Sequence, residues 1–443
     1  MLKDSSLPCR SALDFLADST LVQQAARSSG FLKREPRKLS PAGFVKAVLL
    51  AAAHLRTSFN SIALHTGHAD AEACSRQNVF KRCTASAVAF MQALLDHAIR
   101  LKLPALPASA SEFFKRIIIE DGSVIRFHDS AAKDFPADSG ASGMKAMLRL
   151  QFAYDYKSGH TLRATPAAYS HTDTAAAGEL LDLLEAGDLC IRDMGYYKAE
   201  WFQRMDAKGV FYLSRLKPEV KIPREDGEPA MGLDEFLRNV CGRVFDKTIS
   251  IGAKGTFTTR LVAVRVPEKV AAERRRKIHE EARIRRKTAN SLTLALASWT
   301  VFVTNIPQAT AGPQELRKLY GLRWHVELVF KTLKGKGCLR VLAAHASNRH
   351  HLEVLFLAQL LQLVLTLRLW RMLGPAKKEA PRLSLLKIAA MMRETLVALW
   401  PGSPCTKRWE KHMRTLLQRC RYDKRKKRRN LDAIWEDGLS SLS

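Results

Sequence analysis

Residues 115–127 read KRIIIEDGSVIRF, and here the chain changes its period. Three isoleucines, Ile117, Ile118 and Ile119, stand in a row and are followed by Glu120, Asp121 and Gly122. A short β-branched run closed by a turn residue is the pattern of a buried strand. It predicts a strand through Glu120, a turn at Gly122 and a second strand over 124–127, with Asp121 at the carboxyl end of the first. Alternation sends Glu120 to the face opposite Asp121, and Asp129 follows the next strand. Residues 189–197, LCIRDMGYY, repeat the arrangement, with Asp193 after a short apolar strand and Gly195 close behind. Ligands bind at that edge of an open α/β sheet, where glycine lets a substrate backbone approach. Asp near Gly is equally an ordinary turn, so each aspartate alone leaves both readings open.

Working outward, 147–154 and 162–168 flank Lys157-Ser158-Gly159-His160 and pair as a hairpin. Helix is expected over 172–185 and 198–205, and strand over 210–213. This alternation indicates an α/β domain with a mixed sheet. Residues 217–298 break the rhythm with strands over 240–251 and 257–266. A helix dense in Arg274, Arg275, Arg276, Lys277, Arg283, Arg285, Arg286 and Lys287 follows. This is a β-rich insertion with a basic helix, and 299–304 resumes the strand pattern before helices over 314–333 and 352–373. The expected organisation is a helical N-terminal DNA-binding region (1–110), a catalytic domain in two parts (111–216 and 299–373) around the insertion (217–298), and a basic C-terminal region (374–443).

In the N-terminal region Ser40-Pro41 opens an apolar helix, a second helix covers 58–64, and after a break at Gly67 a third carries Arg76, Gln77, Lys81 and Arg82. Helix, break and polar-headed helix is the shape of a helix-turn-helix reader, and equally of a small helical bundle. Pro104 and Pro107 mark 101–110 as a linker, and 424–429 is a continuous cationic run.

Charge narrows the partner. The 443 residues hold 72 Lys and Arg against 43 Asp and Glu, a formal charge of +29, which favours a polyanion and first of all nucleic acid. The eight cysteines form no CxxC pair and read as reduced thiols of a cytosolic protein. No secretory signal is apparent, and the apolar stretch 354–367 is too short and too polar for a membrane span, so it reads as a buried core helix.

Residues 320–334 read YGLRWHVELVFKTLK. At helical spacing Tyr320, Arg323, Glu327 and Lys334 fall within one ~60° stripe, while Leu319, Leu322, Val326, Val329 and Leu333 form the buried side. His325 turns away from the stripe and reads as structural. Such a stripe is either a solvated helix edge or a site.

With Asp121 and Asp193 placed upstream, this segment resembles the DDE transposases of bacterial insertion sequences, in the branch marked by Y-x2-R-x3-E-x6-K. The quoted residues supply every position of that signature, IIIEDGS and CIRDMGYY resemble the regions of the two family aspartates, and WTVFVTNIP resembles the strand before the signature helix. The likeness covers roughly 115–373. It implies a ribonuclease-H-like mixed-sheet domain interrupted by a β-rich insertion, with helical regions at both ends. It also implies two divalent cations, Mg²⁺ or alternatively Mn²⁺, held by Asp121, Asp193 and Glu327. Oxygen-only ligands suit a hard cation, and no HExxH or other zinc set competes. By the same resemblance Tyr320, Arg323 and Lys334 contact phosphates and Trp299 stacks on an extruded base, with Trp324 as an alternative stacker. The expected activity is metal-dependent cleavage at the element's ends and strand transfer into a target. The partners are double-stranded DNA (terminal inverted repeats and target) and a second copy of the chain in the synapse, and the location is cytoplasmic and nucleoid-associated. A nuclease of the same fold without strand transfer, or a catalytically idle DNA-binding regulator, are the competing readings.

Overall fold

The structure, a computed structural model, describes residues 15–16, 18–36, 38–54, 56–66, 74–101, 113–137, 145–224, 228–252, 257–336, 348–373, 383–399 and 406–422. They fall into two compact units, each discontinuous in sequence. The first comprises Met1–Pro107, Gly122–His171 and Trp324–Lys427, and the second Ala108–Asp121, Thr172–Arg323 and Arg428–Ser443. The expected linker beyond Leu101, the break at Gly67 and the cationic run 424–429 lie outside the described residues.

The strands are β1 (Ile117–Arg126), β2 (Met147–Asp155), β3 (Thr161–Ala168), β4 (Leu189–Arg192), β5 (Phe211–Arg215), β6 (Lys221–Ile222), β7 (Met231–Gly232), β8 (Val244–Ile251), β9 (Phe257–Arg265) and β10 (Trp299–Thr304). Eight of them form one mixed sheet in the order β3-β2-β1-β4-β5-β10-β9-β8, and β6 pairs with β7. β4 runs parallel to both β1 and β5, whereas β10 is antiparallel to both β5 and β9. A hairpin beside three parallel strands is the ribonuclease-H-like α/β fold expected from the sequence. Ile117, Ile118 and Ile119 are all fully buried, because a parallel strand is covered on both faces and cannot alternate apolar with polar.

Two expectations about the strands and helices around the aspartates change. β1 is unbroken through Gly122, since β2 continues as its sheet neighbour after β4 has ended, so Asp121 lies within a strand. The helix expected over 172–185 is one turn, Asp173–Ala176, followed by a 3₁₀ turn at Leu181–Leu183. At Gly178 a Cβ would stand 2.7 Å from the Trp201 ring, which fills the space a side chain would need. The strands expected over 240–251 and 257–266 form as β8 and β9 and extend the main sheet past β10. The basic helix Glu268–Ile284 follows them, tied down by Arg274, which donates to the Trp299 carbonyl at 2.9 Å and to Thr300 Oγ1 at 3.0 Å.

The signature segment is also not one helix. Pro313–Gly321 and Trp324–Lys331 are separate helices, and Thr332–Lys336 is a π turn. At the break Leu322 N–H bonds Leu319 O and Arg323 N–H bonds Tyr320 O, both i to i−3, beside the poor helix former Gly321. Tightening the turn departs from the 100° per residue at which the stripe was drawn.

The first unit is built on helices. Pro41–Ala53 starts as expected, with Ser40 Oγ accepting from Gly43 N–H at 2.9 Å and proline in the first turn. Phe59–Thr66, Arg76–Arg82 and Ala85–Arg100 follow. The long helix Arg349–Met372 packs against Ala85–Arg100 and Pro41–Ala53. By length and composition it would be apolar enough to cross a membrane, but 94% of its apolar window is buried inside the protein, so it serves as a core helix.

Candidate active site

The two aspartates are placed by backbone register. Ile117, Ile118 and Ile119 of β1 stand opposite Leu189, Cys190 and Ile191 of β4. Two residues further along each chain come Asp121 and Asp193. Because side chains alternate with a period of two, both leave the same face at the same level, on strands about 4.8 Å apart. Asp193 is past the last residue of β4 but keeps extended dihedrals, φ −81° and ψ 164°, so the alternation still holds there. Behind it the chain turns sharply through Met194–Tyr196. The Gly195 carbonyl accepts from Thr174 Oγ1 at 2.8 Å, and a Cβ on Gly195 would crowd Asp173 Oδ2 at 3.3 Å.

Each aspartate has a partner from the helix Pro313–Gly321 or the turn after it. Arg323 Nη1 donates to Asp121 Oδ2 at 3.0 Å, with side chains 20% and 18% exposed. Tyr320 Oη donates to Asp193 Oδ1 at 3.2 Å. The phenol stays a donor: burial first, and then the negative Asp193, raise its pKa well above the usual value. Phe302 on β10 lies against the Tyr320 ring with centroids 5.2 Å apart. The arrangement is a half-buried acidic pair with a cation and a hydroxyl already on it, able to hold a hard cation on carboxylate oxygens and to offer a guanidinium and a phenol to a phosphate.

Glu327 lies half-buried in the helix Trp324–Lys331 and Lys334 is exposed on the π turn, both in the first unit. Among the described residues, no three His, Cys, Asp or Glu side chains are gathered so as to hold a metal ion. Within the second unit the structure assembles Asp121, Asp193, Tyr320 and Arg323. The positive charge beside Asp121 comes from Arg323. Trp299 is 5% exposed at the start of β10, with the Arg265 guanidinium 4.8 Å from its ring centroid. Stacking a base on Trp299 requires that guanidinium to be displaced. Trp324 is 39% exposed and has Lys331 over its ring at 4.7 Å. His325 is buried against Tyr156, as a structural residue should be.

Sequence reasoning passed over Arg192. It is 1% exposed and pairs at 2.6 Å with the fully buried Glu120, on the face of β1 and β4 opposite the aspartates. The signal was present as a charge adjoining each aspartate at equal offset in two apolar strands.

The transposase DDE domain family matches residues 112–365 of this chain. The transposase for insertion sequence element IS231B of Bacillus thuringiensis subsp. berliner is 28% identical over 340 residues, covering 71% of this chain and 70% of that protein. The transposase for insertion sequence element IS1151 of Clostridium perfringens is 22% identical over 279 residues, covering 58% and 59%. Among solved structures, the piggyBac transposase in a synaptic complex with hairpin DNA aligns at a TM-score of 0.48 and 10% identity, over 98% of this chain and 84% of that one.

Proposed function

The chain belongs to the transposase DDE domain family, and from that premise we propose that Asp121, Asp193 and Glu327 are the carboxylates through which it binds two divalent cations, Mg²⁺ or Mn²⁺. The protein is a transposase, an enzyme that cuts DNA at the ends of an insertion sequence and joins those ends to a target by cut-and-paste transposition. Its family works with divalent metal ions. The observation that supports the residue assignment is the shared level and face of Asp121 and Asp193, which follows from the β1–β4 register. Their oxygen-only donor set fits a hard cation. Once bound, such ions supply Lewis acidity at the scissile phosphate and charge neutralisation for the attacking and leaving oxygens.

The chain's own side chains do the positioning. Arg323 and Tyr320 are already hydrogen-bonded to the acidic pair and exchange those bonds for phosphate oxygens when DNA arrives; Lys334 adds a point charge. Trp299 stacks on an extruded base once Arg265 moves aside, and the exposed Trp324 is the alternative platform. The N-terminal helices read the terminal inverted repeats, two copies of the chain pair two ends, and the strong positive charge keeps the protein with DNA in the cytoplasm, on the nucleoid.

Cleavage of a duplex carrying the element's end tests the assignment. Asp121→Asn, Asp193→Asn and Glu327→Gln should each lose cleavage by more than about a hundredfold while retaining repeat binding, because a direct ligand matters more than its supporting neighbours. Near-parental cleavage by any one of them removes that residue from the set. Pre-cleaved ends should give joined product; hydrolysis alone would identify a nuclease.

A further inference from the structure

The strands that carry the two aspartates carry a second charged pair one residue earlier. Glu120 and Arg192 are 0% and 1% exposed, and Arg192 Nε stands 2.6 Å from Glu120 Oε2. The register puts them opposite one another just as it does Asp121 and Asp193, but on the other face. Arg192 Nη2 also donates to the Ala177 carbonyl at 2.8 Å, and its guanidinium lies 5.7 Å from the centroid of the Tyr196 ring, three residues past Asp193. One side chain thus joins β1, β4, the segment after Asp173–Ala176 and the turn that follows the second aspartate.

Stability alone is a poor reason for such a pair. Two apolar side chains of similar size would fill the same space without the cost of desolvating two charges, and such replacements are often neutral or stabilising. Apolar packing opposes sliding of one strand against the other without fixing which two residues must face each other, as a charge pair does. A sliding force exists here, because Asp121 and Asp193 side by side repel and are relieved if the strands shift. A short, buried ion pair immediately next to both of them, its guanidinium also held by the Ala177 carbonyl, opposes that shift.

We propose that Glu120 and Arg192 are a positioning pair, which holds Asp121 and Asp193 at one level and spacing for their cation through the backbone one residue away. The pair touches neither substrate nor metal. The proposal rests on the assignment of the two aspartates as metal carboxylates, and the experiment separates the two.

The full-length protein is compared with the double variant Glu120→Met/Arg192→Met, with Arg192→Lys and with Asp121→Asn. Three quantities are measured: thermal unfolding without metal, Ca²⁺ affinity by calorimetry without DNA, and the Mn²⁺ concentration for half-maximal cleavage. The double variant should unfold within a few degrees of the parent, since its core is fully packed. It should bind Ca²⁺ about tenfold more weakly and need correspondingly more Mn²⁺, the usual cost of losing a supporting interaction. Arg192→Lys keeps the charge but cannot fork between Glu120 and Ala177, and should weaken Ca²⁺ binding about threefold. A folded double variant with parental Ca²⁺ affinity and Mn²⁺ requirement overturns the proposal. If the double variant does not fold, Arg192→Lys decides in the same way. Parental Ca²⁺ binding by Asp121→Asn instead sinks the assignment beneath it.

Discussion

Arg323→Met removes the cation that sits on Asp121 and should therefore make the DNA-free protein bind metal more tightly, although it cuts DNA less well. The guanidinium donates to Asp121 Oδ2 at 3.0 Å, and both side chains are about four-fifths buried. A hydrogen bond between charged groups contributes about 1.5–3 kcal/mol, and partial exposure puts this one near the lower figure. A cation taking the same carboxylate must displace or share that bond. Abolishing it should strengthen Ca²⁺ binding by about 1.5 kcal/mol, or about tenfold. Without metal, the variant loses the Arg323–Asp121 ion pair beside Asp193 and should lose about 1 kcal/mol of stability. Calorimetric titration of the DNA-free protein with Ca²⁺, together with thermal unfolding with and without Ca²⁺, reads both effects. Unchanged or weaker Ca²⁺ binding would refute the reasoning, because Arg323 would then be assisting the site and not competing for it.

His351 is 3% exposed, stacks on Phe59 at 3.9 Å, and is pushed by burial from its usual 6.5 down to about 4. Between those values the unfolded chain binds a proton the folded one refuses. Stability is therefore full above about pH 6.5 and falls as the pH drops towards 4, by up to about 3 kcal/mol, and His351→Phe should flatten that part of a denaturation-versus-pH curve. Burial also raises the thiols of Cys83 and Cys190 to about 12 and shifts Cys74 and Cys420 upward, whereas Cys241 is exposed. Alkylation of the native protein at about pH 8, read by peptide mass spectrometry, should label Cys241 and spare those four. Labelling of Cys190 as fast as Cys241 would mean that the β1–β4 pair opens readily.

Much of the fold is readable residue by residue. The isoleucine run, the hairpin around Lys157-Ser158-Gly159-His160, the strand Trp299–Thr304 and the buried helix Arg349–Met372 follow from periodicity, turn chemistry and apolar length, all local properties. The misreadings occurred where a distant partner overrides local preference. Gly122 signals a turn by itself, yet stays in a strand because β2 pairs alongside. At Gly178, past the single turn Asp173–Ala176, Trp201 occupies the space a side chain would need. The break after Gly321 is a compromise between helix propensity and i to i−3 bonding that the motif spacing does not reveal.

The sequence by itself determined which residues could carry the chemistry, since Asp121, Asp193, Tyr320, Arg323, Glu327 and Lys334 stand at spacings legible along the chain. Only the tertiary structure decided that Asp121 and Asp193 share a level and a face, that Arg323 and Tyr320 sit on them, and that Glu120 and Arg192 are locked together behind. The physical reason is that strand register is set between segments about seventy residues apart, by which rows of side chains pack and which charges find partners. A slip of one residue would keep every motif intact and turn one aspartate to the opposite face.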